Sequence, residues 1–315
     1  MPRTRGASPL AIWSALAAVY VIWGSTYLAI SIAVQTLPPL FSAGVRFSLA
    51  GLVLLGFIAV RRGARADREQ LAAAATVGLL LIVGGNGFVV LAERTVPSGL
   101  TALIIASVPL WIVIFRRIAG DHINGSTFIG VAVGFAGVLF LVVPRGSGTG
   151  TDPGGVALLL VATTSWALGT FLSPRLRMPR DGLLSTGIQQ LAGGIVLLAL
   201  GLAVGELVHL DPSTWSANSL LAMAYLLVFG SLVAFTAYSW LLQHAPVSLV
   251  STYAYVNPVV AVLLGALILA EPVTPTIVIG AAIIVAAVAF IVTREGGRQR
   301  TSRAAAVGAA ASEAD

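Results

Sequence analysis

The chain of 315 residues has no cysteine and no lysine. The first absence excludes disulfides and thiolate metal sites, and the second excludes Schiff-base chemistry on a lysine amine. Charge is scarce as well: 10% of residues are charged against 57% hydrophobic, a balance far outside that of water-soluble domains. The three histidines, His122, His209 and His244, stand apart from one another and from any group of acids, so no metal site is expected. No Gly-Lys-Ser/Thr ending follows the glycine-rich stretch near residue 150, which argues against an ATP-binding phosphate loop. No cofactor is expected.

What the chain does have is apolar runs, with a mean hydropathy of +0.97. The reading is an all-α polytopic membrane protein. Its net charge of +6 comes from arginines scattered between the runs, not gathered on one face, so they act as topology signals and no nucleic-acid partner is expected. Ten runs approach the roughly 20 residues needed to cross a bilayer: Leu10 to Val34, Pro38 to Val60, Leu71 to Ala92, Val96 to Phe115, Ser126 to Val143, Val156 to Leu172, Leu183 to Val204, Asn218 to Leu242, Val247 to Ala270 and Thr276 to Thr293. The first is too long for a signal peptide and no small-x-small cleavage site ends it. A basic arm occupies 1–9, a glycine-rich linker 144–155, and an alanine-rich tail without an apolar stripe, expected to be disordered, 294–315.

The two halves, 10–143 and 156–293, are related. A shift of 149 residues lays Pro97 on Pro246, Leu100 on Leu249 and Pro109 on Pro258. With a slip to about 143, Trp23-Gly24-Ser25-Thr26 falls on Trp166-Ala167-Leu168-Gly169 and Gly51 on Gly194; at 150, Asp121 meets Glu271 and Gly130 meets Gly280. Such spread indicates an internal duplication. Arginines favour cytoplasmic segments, and with the amino terminus inside only Arg94 and Arg145 fall on outer loops, so both termini are expected in the cytoplasm. Five spans per half is an odd number. The second repeat then lies inverted relative to the first, the plan of secondary transporters with substrate near the midplane.

Depth counting at 1.5 Å per residue nominates a site. Trp23, Thr26, Ser107, Trp166 and Asn257 fall near the bilayer centre, Tyr253 lies one turn before Asn257, and Asn86 sits between Gly85 and Gly87 in the third span. Deep tryptophans need a partner for the indole N–H, from substrate, water or a neighbour. The alternative for each residue is helix packing, as membrane amides often provide. Pro109 and Pro258 occupy matched positions and are candidate hinges. Arg46 lies about 12 Å from the outer end of its span, and Glu93 is the natural partner, as a structural brace or a moving gate. No acid lies at mid-depth; Glu93 as a proton carrier is the lesser alternative. Gly130, Gly134, Gly137 and Gly280 offer smooth faces for close contact between the halves or between protomers, so a homodimer is a candidate assembly.

The motifs Trp23-Gly24-Ser25-Thr26-Tyr27, Gly85-Asn86-Gly87, Ala92-Glu93, Val96-Pro97-Ser98-Gly99 and Ser251-Thr252-Tyr253 through Gly265 closely resemble the EamA branch of the drug/metabolite transporter superfamily, and within it the YedA-like inner-membrane transporters. The resemblance spans about Ala11 to Val292 and implies ten helices in two inverted repeats, a central cavity, and export of small metabolites or drug-like compounds across the cell's inner membrane. A pocket lined by aromatic and neutral polar groups suits amphipathic, aromatic or zwitterionic cargo. Two other readings stay open: a lipid or lipid-linked precursor flippase, and a membrane-embedded transferase, for which the spans lack acidic clusters or an activated nucleophile.

Overall fold

The computed structural model describes residues 8–61, 63, 65–142, 152–206, 208, 210–245, 247–250, 252–291 and 293. Residues 1–7 of the amino-terminal arm, most of the linker, His209 and the carboxy-terminal tail lie outside the described residues. Among the described residues no strand occurs. The helices are α1 Pro9–Ala33, α2 Pro39–Arg61, α3 Arg68–Ala92, α4 Ser98–Ile118, α5 Gly125–Val142, α6 Pro153–Leu172, α7 Gly182–Ala203, α8 217–244, α9 in two pieces, Val247–Val250 and Tyr253–Leu269, and α10 Pro275–Ile291. Seven of them, α1 to α4 and α6 to α8, are by themselves long and apolar enough to cross a membrane, and α5, α9 and α10 are shorter apolar helices. Large apolar side chains such as Leu52, Val53, Ile129, Leu263 and Leu267 point outward, as a lipid-facing surface requires.

Local chemistry sets the helix starts. Proline occupies the first helical turn of α1, α4's second piece and α6, where no N–H is missed. Asp67 caps α3 in a box with Gln70, Asp181 caps α7 and Ser216 caps α8. Three further carboxylates sit at helix starts, two of them arriving from distant loops. Glu206 accepts from Leu40 N (3.1 Å) and Phe41 N (2.7 Å) of α2, Glu271 accepts from Ser98 N and Oγ (2.8 Å each) and Gly99 N (3.0 Å) of α4, and Asp152 bonds Thr95 Oγ1 (2.7 Å) while capping its own helix. All of these lie at the end of the bundle poor in arginine, where orphan N–H groups and the helix dipoles favour negative charge. At the arginine-rich end, Arg177 meets Asp67 (3.1 Å) and Glu69 (2.7 Å), and Asp121 bridges Arg116 (3.0 Å) and Arg175 (3.1 Å).

Four spans depart from the smooth helices expected of them. The middle of α3, Leu79–Gly87, and the middle of α8, Leu226–Ala234, are π-helical. A π turn widens the helix and leaves carbonyls poorly paired. In each segment a side chain from another helix answers one: Ser165 Oγ donates to Leu80 O (2.8 Å), and Gln190 Nε2 donates to Ser231 O (3.1 Å). Helix α4 breaks at Ala106-Ser107, so Pro109 begins a new helix; α9 breaks before Tyr253, and its second piece runs on through Pro258. The two prolines therefore do not mark matched kinks.

Small residues let the helices approach. A Cβ on Gly44 would meet Leu198 N at 2.7 Å, one on Gly51 would meet Leu191 N at 2.6 Å, and Gly194 faces Ser48 and Gly187 faces Leu55 in the same way. Residue numbers fall on α7 as they rise on α2, so the pair is antiparallel. Gly130 and Gly137 receive Ile291, Ile283 and Ile284 of α10, Gly134 receives Leu110, and Gly280 receives Leu141. The smooth faces of α5 and α10 are thus occupied within the chain.

Candidate functional site: a central aromatic cavity

Helix α1 is the axis of the site. It packs against α8 and α9, with Ser25 Oγ bonded to the Tyr225 hydroxyl (2.6 Å), Ser219 Oγ donating to Ile32 O (2.8 Å), and Tyr20 bonded to Thr252 beside the break in α9. Gly24 has no room for a side chain, because a Cβ there would lie 2.7 Å from Val260. These contacts leave a cavity of about 850 Å³, open mouth included, between α1, α2, α3, α4, α6, α8 and α9.

Six of the seven nominated residues, Trp23, Thr26, Asn86, Trp166, Tyr253 and Asn257, line this one cavity, as does Pro258. Trp23 stands at its centre, with ring centroids 6.3 Å from Trp166, 5.3 Å from Phe235, 4.9 Å from Tyr238 and 5.4 Å from Tyr253. Edge-to-face geometry against Trp166 and Tyr253 suits the ring quadrupoles. Tyr253 also meets Tyr238, with ring centroids 5.8 Å apart and the planes near perpendicular, so the rings of α1, α8 and α9 form one aromatic cluster. The polar groups are mostly committed too. Thr26 Oγ1 donates to Trp23 O (2.6 Å), and the Asn257 amide nitrogen faces Tyr253 O (3.3 Å) and Tyr20 O (3.2 Å), joining α9 to α1. Asn257 combines the helix-joining role with a place on the cavity wall.

Two expectations need correction. Ser107 is fully buried away from the cavity, its hydroxyl donating to Ile104 O (2.6 Å), because the break in α4 presents Ala106 and Val108 to the cavity instead. The Arg46–Glu93 ion pair is not formed. Arg46 Nη2 donates to Asn86 Oδ1 (3.3 Å) and its guanidinium packs 4.1 Å over the Phe47 ring, while both Glu93 carboxylate oxygens lack a hydrogen-bond partner. The nearer amide and ring take the guanidinium.

Tyr27, Phe47, Gly230, Ser231 and Phe235 also line the cavity without having been nominated. Tyr27 had a signal, one helical turn after Trp23 on the same face. Phe235 and Ser231 had none, since the π segment rotates α8 away from the register a regular helix would give. Among the described residues no group of three or more His, Cys, Asp or Glu is placed to hold a metal.

A bundle of apolar helices around an aromatic-walled cavity suits a membrane transporter, and comparison with known proteins gives its class. The profile of the EamA-like transporter family matches the chain twice, over residues 10–143 and 153–293. The chain belongs to the EamA-like transporter family, a family of transporters rather than enzymes. It is 41% identical over 257 residues, 81% of this chain and 82% of the relative, to the uncharacterized inner membrane transporter YedA of Escherichia coli strain K12. A chloroplastic WAT1-related protein of Arabidopsis thaliana is 27% identical over 298 residues, covering 90% of this chain and 70% of its own length. The uncharacterized transporter YvbV of Bacillus subtilis is 25% identical over 309 residues, 98% and 97% of the two chains. A solved crystal structure shares the fold with a TM-score of 0.62 at 20% identity, over 90% of this chain and 96% of that one.

Proposed function

We propose that the chain carries small amphipathic molecules across the cell's inner membrane by alternating access, through a cavity between two inverted five-helix repeats. The observation that carries this reading is the way α2 and α7 meet. At the 143-residue offset Gly44 corresponds to Gly187, Ser48 to Leu191, Gly51 to Gly194 and Leu55 to Leu198. The contact of Gly44 with Leu198 is then the mate of Leu55 with Gly187, and that of Gly51 with Leu191 the mate of Ser48 with Gly194. Reciprocity of this kind is what a two-fold interface produces, here inside one chain. The paired π segments of α3 and α8 and the Trp23–Trp166 contact support the same axis.

The aromatic wall and its few polar groups suit a cargo with a flat apolar body and a modest polar end. Both ends of the ten-helix bundle fall on the arginine-rich side, which supports cytoplasmic termini. Export is the direction the family resemblance implies. The test is a panel of aromatic, zwitterionic and cationic compounds in proteoliposomes, with and without a pH gradient, followed in both directions. Saturable flux of an aromatic compound, lost in Trp23→Ala, is expected; flux equal to that of empty liposomes for every compound contradicts the reading.

A further inference from the structure

Glu93 ends α3 at the arginine-poor end of the bundle. It is 5% exposed, and neither of its carboxylate oxygens has a hydrogen-bond donor. A charged carboxylate without partners is costly inside a bundle of apolar helices, and acids so placed mark proton or ion pathways. The charged and titratable groups that act on it electrostatically are Glu271 in the α9–α10 connection, Arg46 on α2 and Tyr27 on α1. Glu271 is held in place by its three bonds to the start of α4. Arg46 spends Nη2 on Asn86 and leaves Nε without a partner. Glu93 therefore feels a fixed negative charge and an incompletely used positive one, and lies one turn beyond Val89, which lines the cavity together with Arg46.

We propose that Glu93 is a proton-binding site whose proton decides whether Arg46 offers an uncompensated positive charge to an anionic group in the cavity. With Glu93 ionised, its carboxylate offsets the guanidinium charge. With the proton in place, Arg46, which lines the cavity beside Asn86, is free to receive a carboxylate, sulfonate or phosphate group of the cargo. The proton is exchanged with water at the arginine-poor end, and only the O–H bond of Glu93 is made or broken. Proton and anion then favour each other's binding by the same factor. The anion half rests on the transporter reading; the proton half rests on the surroundings of Glu93 alone.

Infrared difference spectra of the full chain in lipid vesicles, taken between acid and alkaline pH, test the proton half without any cargo. The C=O stretch of a buried protonated carboxyl is expected in the native chain, shifted in Glu93→Asp and absent in Glu93→Gln. In Arg46→Gln its titration midpoint rises by about one pH unit or more, because the charge favouring the carboxylate is gone. An unchanged band in Glu93→Gln overturns the proposal, and so does a fixed midpoint in Arg46→Gln, which decides the matter if Glu93→Gln does not fold. For the anion half, toluenesulfonate, ionised throughout, and neutral toluenesulfonamide serve as probes. The sulfonate is expected to bind about tenfold more tightly at the acid end in the native chain and equally at both ends in Glu93→Gln, with the sulfonamide indifferent to pH. Sulfonate binding that is absent, or that keeps its pH dependence in Glu93→Gln, sinks the Arg46 role. Failure of the transporter reading itself leaves the infrared result standing, so the two failures are distinguishable.

Discussion

Trp23 touches four other aromatic rings, and each such pair contributes about 0.5–1.5 kcal/mol beyond the area it buries. Trp23→Ala is expected to weaken flux of an aromatic cargo at least about tenfold, while the helical content stays that of the native chain by circular dichroism. Gln190 offers a second check. Gln190→Leu strips the partner from Ser231 O in the π segment but also removes the unpartnered Oε1, so the expected loss is only about 1 kcal/mol, read as a lowered melting temperature in detergent. Depth and repetition were enough to nominate Trp23, Trp166 and Asn257 from the sequence. The direction of a side chain was not legible: Ser107 has the right depth and the wrong face, and the partner of Arg46 is decided by an amide forty residues on in the chain, not by opposite charge.

Ten apolar helices were readable because each is a long run between polar breaks, whereas the breaks and π segments inside them were not. Pro109 and Pro258 carry the same missing N–H, yet one starts a helix and the other is absorbed in the middle of one. The break in α9 falls before Tyr253, beside the Tyr20–Thr252 contact, and not at its proline. A hinge at both prolines thus has no common geometry to act on. Helix α9 ends on Ala270 in the left-handed conformation (φ 53°), with the Glu271 N–H closing back on Gly265 O (3.1 Å). A Cβ is strained there, so Ala270→Gly is expected to stabilise the chain by about 1 kcal/mol, measured as a raised melting temperature. The opposite is expected at the α2–α7 contact. Gly51→Val places side-chain atoms against the Leu191 backbone, at a cost of about 1–3 kcal/mol or more, visible in the same melting experiment.

Across the whole molecule carboxylates cap helix starts at both ends, and at the arginine-rich end arginine–carboxylate bridges are added. Asp121 belongs to the second kind, held below the ordinary aspartate range by its hydrogen bond from Arg116 and then by the charges of Arg116 and Arg175. A depressed folded value means that its contribution is complete above the ordinary aspartate range and is lost as pH falls through the lower folded value. Stability at the acid end is therefore expected to fall more steeply in the native chain than in Asp121→Asn, a difference that added salt reduces because the carboxylate is only half-buried. Antiparallel repeats were inferred from an odd number of spans per half. The cavity's shape depends on long-range contacts among α1, α8 and α9 that no local pattern encodes.

The absence of native cysteine allows the central claim to be tested directly. A single cysteine replacing Asn86, on the cavity wall, is exposed in oriented vesicles to a membrane-impermeant thiol reagent added outside or trapped within. Alternating access predicts labelling from either side, slowed from both by a carried compound. Labelling from one side only, or from neither, with no protection by any compound, contradicts it.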